Sequence, residues 1–230
     1  MSTQIFDSVE LTTGLVFPKT SGLGIKIDPF GPAAFGYRDL IGQINPHVGG
    51  GTAPVSTLLR GNGTNVRAYT FASSTVIDDI TFHMPHDYVP GTDMYLHLHW
   101  THAGTAISGN LVVNWYCTYC KGYNQASQTF FAEKNVTLTV PTANVTAFPQ
   151  YGHFINEFQI TNVGGDATHI NNTTLEVDGL VKVGAVATTI PTITGSPAGS
   201  ANSPFFLMVD LHYQSTGLMT TKNKNFPFYT

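Results

Sequence analysis

Three histidines, His97, His99 and His102, crowd the stretch YLHLHWTH that begins at Tyr95. Imidazole binds transition metals and moves protons near neutral pH, so this density points to metal ligation or to proton transfer. The local pattern is that of a β-strand, on which alternation puts Tyr95, His97, His99 and Thr101 on one face and Leu96, Leu98 and Trp100 on the other. The Leu, Leu, Trp face is the natural core side. On the opposite face the backbones of His97 and His99 stand about 7 Å apart, a spacing that allows both rings to reach one ion. Two imidazoles without a carboxylate or a third histidine make a weak site, and His83, His86, His102 and His212 help only if folding brings them near. No bound metal and no cofactor is therefore expected.

Gly91, five intervening residues and then His97-x-His99 resemble the opening of the first cupin motif. Cupins are jelly rolls that use this histidine pair as metal ligands, so the resemblance implies a cupin-like metal-binding protein as one reading. The pattern then departs: Ala103 and Gly104 stand where the cupin glutamate belongs, and no later Pro-x-Gly…His motif follows.

Other chemistry is thinly supported. Cys117 and Cys120 form a CxxC, but the surrounding LVVNWYCTYC is strand-forming, and positions three apart on a strand point to opposite faces. Their Cα atoms would lie roughly 10 Å apart, beyond the ~7 Å a disulfide spans, so one thiol is expected buried and the other not. There is no GxSxG elbow, and the glycines of HVGGGT lack the lysine and helix of a phosphate-binding loop. Carboxylates are scattered. No catalytic residue is nominated, and the expectation is a protein that is not an enzyme. The Asn-x-Thr sequons at Asn62, Asn135, Asn144, Asn171 and Asn172 matter only on a secretory route, and the opening MSTQIFDSVE has neither the basic start nor the apolar run of a signal peptide.

The elements that must hold these residues are strands. Short apolar or alternating runs (VIDDITFHM, DMYLHLHW, NLVVNWYCTY, KNVTLTV, HFINEFQI, LEVDGLVKVGAVA, PFFLMVDLHY) are separated by turn signals at Pro90-Gly91, Ser108-Gly109, Gly164-Gly165-Asp166 and Asp178-Gly179. Strands without crossover helices predict an all-β fold, an antiparallel two-sheet sandwich of jelly-roll type, as a single domain over residues 1–230. Residues 17–65, rich in Gly and Pro, read as an extended arm or ordered loop, and residues 219–230 as a C-terminal tail.

Charge is sparse: charged residues are 10% of the chain, with a net charge of −4, against about 25% in an ordinary soluble domain. Thr, Asn, Ser and Gly replace them, a composition suited to wide uncharged surfaces that pack against other proteins. The ten cations are scattered singly, which argues against nucleic acid, and no apolar run approaches the ~20 residues of a membrane helix.

The strings MPHDYVPGTDMYLHLHW, CKGYNQA and MVDLHYQSTGLMTTKNKNFPFYT resemble a family of virion components encoded by tailed bacteriophages, from about Phe35 to the C-terminus. The resemblance implies a structural protein of the particle, located in the virion: a jelly-roll head decoration or cement protein, commonly trimeric, whose partners are copies of itself and the major capsid protein or other virion proteins. Phe30, Phe35, Phe226, Phe228 and Tyr229 are the candidate subunit or capsid contacts, and His97 and His99 would line a subunit interface. The alternative is a tail fibre or knob domain that grips host glycan through the KGYNQASQTFF segment, with Tyr123, Asn124 and Gln125.

Overall fold

β-branched and aromatic residues alternating with small polar ones dictate the longest strands, because that pattern gives a pleated ribbon one dry and one wet face. The computed structural model describes residues 36–46, 52–122, 129–142 and 147–215. Apart from Gly36, these belong to the unit Tyr37–Thr230. Phe30, Phe35, Phe226, Phe228, Tyr229, Tyr123, Asn124 and Gln125 lie outside the described residues, as does the 219–230 tail.

The described residues are all-β, with no helix. In chain order the strands are β1 (Gly36–Gly42), β2 (Asn45–Pro46), β3 (Val55–Leu58), β4 (Arg67–Thr70), β5 (Val76–His83), β6 (Tyr95–Thr101), β7 (Ala106–Ser108), β8 (Asn110–Cys120), β9 (Lys134–Pro141), β10 (Phe154–Gln159), β11 (Thr161–Asn162), β12 (Ile170–Asn171), β13 (Leu180–Thr189), β14 (Thr192–Thr194) and β15 (Phe205–Ser215). One sheet runs β10-β6-β15-β4-β3, with β1 also paired to β15; the other runs β2-β5-β13-β8-β9. Two small ribbons, β7 with β14 and β11 with β12, complete the set. The expected antiparallel two-sheet arrangement is present. Within the segment read as an extended arm or ordered loop, β1, β2 and β3 add to the two sheets.

The sheets meet over one apolar core. Leu111, Val113, Trp115 and Cys117 of β8 and Val181, Val183, Ala185 and Ala187 of β13 face Leu96, Leu98 and Trp100 of β6 and Val209, Leu211 and Tyr213 of β15. Trp115 and Phe158 pack across the layers, their ring centroids 5.2 Å apart. Each large side chain so removed from water contributes ~1.5–3 kcal/mol, which makes this interdigitated layer the main source of stability. Gly109, at φ +94°, turns the chain tightly between β7 and β8, a conformation that favours glycine.

One irregularity re-aims the second half of β15. Phe206 pairs with Trp100 but Met208 pairs with His99, so Leu207 is an extra residue, a β-bulge. The bulge reverses the parity of the strand. Phe206 points inward before it; after it Val209, Leu211 and Tyr213 point inward, while Asp210 and His212 take the outer face.

Candidate functional site

The expected parity of β6 is what the structure shows: Leu96, Leu98 and Trp100 are fully buried in the core, and His97 and His99 stand on the outer face of the six-stranded sheet. That face is not open there. The antiparallel register places Glu157 of β10 and Asp210 of β15 on either side of His97, in one rung across three strands. His97 Nε2 lies 2.8 Å from Glu157 Oε2, and its Nδ1 lies 3.0 Å from Asp210 Oδ1. His99 Nε2 lies 2.7 Å from Asp210 Oδ2, and its Nδ1 lies 2.8 Å from Nε2 of His153, which enters from just before β10. The result is a continuous chain of polar groups, His153–His99–Asp210–His97–Glu157.

Exposure grades along this chain. The Asp210 side chain is 4% exposed, His99 10% and His97 14%, whereas Glu157 is 54% exposed and opens the cluster to solvent. The Asp210 Oδ1 atom is buried and has no hydrogen-bond partner, although His97 Nδ1 lies 3.0 Å away. A second group adjoins. His212 Nδ1 is 2.6 Å from Asp39 Oδ1, and the His212 ring lies 4.7 Å from that of His97 and stacks on Tyr37 at 4.5 Å. Gln214 Nε2 donates to the Tyr37 hydroxyl at 2.8 Å and braces the stack.

Among the described residues, two sets of three groups bring one ligand atom each within 4.8 Å of one another: His97, His99 and Asp210, and Asp39, His97 and His212. The first contains the carboxylate that a bare histidine pair lacks. Sequence reasoning found His97 and His99 and missed Asp210, Glu157, His153 and Asp39 as their companions. The alternation in MVDLHY signals that Asp210 and His212 share a face, but their opposition to His97 depends on strand pairing. An ion held here would sit outside the sandwich, since apolar side chains fill its interior.

The remaining candidates are placed elsewhere. His102 is fully buried, with Nε2 2.9 Å from the Phe148 carbonyl oxygen and its ring stacked on Phe154. His86 Nε2 is 2.8 Å from Asp178 Oδ1, with His83 on the same carboxylate at 3.8 Å. Both Cys117 and Cys120 are buried free thiols, which corrects the expectation that one would be exposed: at the end of β8 the outward side is covered too. Burial, reinforced by the charge of Glu133, pushes the Cys117 thiol up to about 12, so the CxxC carries no reactive thiolate at that position. Asp87, a second buried carboxylate, accepts from Arg38 Nη1 at 2.8 Å, from the Tyr213 hydroxyl at 3.1 Å and from Ser215 Oγ. Burial, and then the charge of Asp87, raises the Tyr213 hydroxyl above its usual range.

Comparison with protein-family models, with curated proteins and with solved structures finds no match for this chain.

Proposed function

We propose that this chain is a structural protein of a tailed-phage particle, a head decoration or cement protein that acts as a homo-oligomer, in the first instance a trimer, and bridges neighbouring capsid subunits. The observation that carries the reading is the strand order. Taking the eight principal strands in chain order as β4, β5, β6, β8, β9, β10, β13 and β15, one sheet reads 6-3-8-1 and the other 2-7-4-5. This is the order of a jelly roll, an architecture used for viral shells as well as for lectins.

Surface chemistry supports the same reading. With charged residues at 10% of the chain, association rests on area and uncharged polar contact rather than on ion pairs. Exposed Ile41, Val55, Ile155 and Leu207 all lie on strands of the six-stranded sheet, which favours that sheet over the other as the side for protein contact. On this reading the histidine cluster would lie on the contacting side, where His97 and His99 would meet a neighbouring subunit.

The test is to locate the chain. Reconstruction of purified virions that carry it should show it on the head shell at three-fold or quasi-three-fold positions, and the isolated protein should have three times its monomer mass by light scattering. A monomer that binds no particle would overturn the proposal. A glycan-binding role has one supporting feature: Phe130, half exposed, shares a shallow groove with Tyr116 and Glu133 on the outer face of the five-stranded sheet. Selective binding on a glycan array, together with a location at the tail, would favour that second reading.

A further inference from the structure

We infer that His97, His99 and Asp210 form a binding site for one divalent transition-metal ion of the zinc, cobalt or nickel class. The site does not depend on the virion reading. Its inner atoms are His97 Nδ1, His99 Nε2 and the Asp210 carboxylate, whose oxygens lie 3.0 and 2.7 Å from the two nitrogens. Tetrahedral zinc, with bonds of about 2.0–2.1 Å, spaces its ligand atoms roughly 3.3 Å apart, close to both nitrogen–oxygen separations, and one ligand atom of each group lies within 4.8 Å of the other two.

The outer partners of the two rings can each take the hydrogen that ligation leaves on the far nitrogen. A carboxylate only accepts, so Glu157 Oε2 holds a hydrogen of His97 on Nε2, which leaves Nδ1, 3.0 Å from Asp210 Oδ1, as the nitrogen free to ligate. His99 Nδ1, 2.8 Å from His153 Nε2, has an acceptor there for its hydrogen when its Nε2 ligates an ion in place of donating to Asp210. Tethering the far nitrogen of a ligating histidine to a carboxylate or other acceptor is how proteins orient such ligands.

An independent observation points the same way. Asp210 Oδ1 is buried without a hydrogen-bond partner, whereas the other buried carboxylate of this region, Asp87, has a guanidinium and two hydroxyl donors. A buried anionic oxygen without a partner is costly, and a cation bound to it removes the cost. Two imidazoles and a carboxylate select a first-row transition ion over Mg²⁺ or Ca²⁺, which take shells of oxygen. The half-exposed Glu157 and Asp39 give the ion an acidic approach from solvent, and a water completes its coordination.

The experiment is titration of the purified full-length chain, stripped with chelator, by ZnCl₂ in a calorimeter and by CoCl₂ in a visible spectrometer at neutral pH. One equivalent should bind, with cobalt d–d bands of a low-coordinate nitrogen and oxygen site. Asp210→Asn and His99→Ala should abolish both signals, and Glu157→Gln, at an exposed position that leaves the fold intact, should weaken binding about 10- to 100-fold. His169→Ala, away from the cluster, should change nothing. Failure of the wild-type chain to bind either ion, or binding undiminished in Glu157→Gln and in the folded inner-ligand variants, would overturn the proposal and leave a network held together by protons.

Discussion

Asp210 faces His97 across the β6–β15 pair because Leu207 is an extra residue in β15. With Leu207 kept but no bulge, the strand would keep the parity set by Phe206 and would carry Asp210 and His212 toward the core. The same bulge therefore fixes two things: the inward row Val209, Leu211, Tyr213 and the outward carboxylate of the cluster. Deleting Leu207 closes the bulge and joins Phe206 to Met208 in regular alternation, so the deletion is expected to fold cooperatively with the same faces buried. Circular dichroism melts of the deletion should keep a sharp transition, and its loss would mean that the strand needs the local bend of the bulge. Leu207→Ala, which keeps the residue count at a 40%-exposed position, should shift stability by about 1 kcal/mol or less.

This dependence marks where sequence reading stops. The faces of β6 were legible because alternation is local: three apolar residues at every second position leave one choice of core side. The β8 and β13 strands were legible for the same reason, and so were the turns at Gly109 and Gly164-Gly165, which take positive φ. The edge strand β1 was not, since GYRDLIG is mostly exposed and has no apolar face to announce it. Asp210 and Glu157 are far from His97 along the chain, and only the pairing of strands brings them together. Cys120 was misjudged because alternation assigns a face but does not tell whether that face is covered.

Trp115 sits fully buried at the centre of the core against Phe158, with its indole Nε1 lacking a hydrogen-bond partner. Replacing it with alanine removes the contacts and leaves a cavity, and is expected to cost ~3–5 kcal/mol. Trp115→Phe keeps most of the apolar volume and also removes the unpaired N–H, a group whose burial alone costs ~1–3 kcal/mol. Its loss should therefore be well under half that of the alanine variant. Urea denaturation monitored by circular dichroism decides the order, and equal losses would mean that the indole nitrogen has a partner in solution.

Asp166 gives the pH dependence with the clearest cause. Its carboxylate accepts the backbone N–H groups of Thr168 and His169 at 2.6 and 2.7 Å, and further bonds from the Thr168 hydroxyl and the His169 ring, in the turn that follows Gly165. These bonds, the backbone pair foremost, hold the carboxyl well below the usual carboxylate range of about 3.9. A carboxyl whose folded value is depressed stabilises the turn above the unfolded value and loses that contribution as pH falls through the folded one. The 162–169 turn should thus stay ordered at pH 4 and loosen only in stronger acid. An NMR titration of the side-chain carboxyl checks this directly: a midpoint well below the usual carboxylate range is expected, and a midpoint within that range would mean that the two backbone N–H groups do not point at Asp166 in solution. Asp166→Asn, which keeps one acceptor oxygen without the charge, should retain the turn and remove the acid transition.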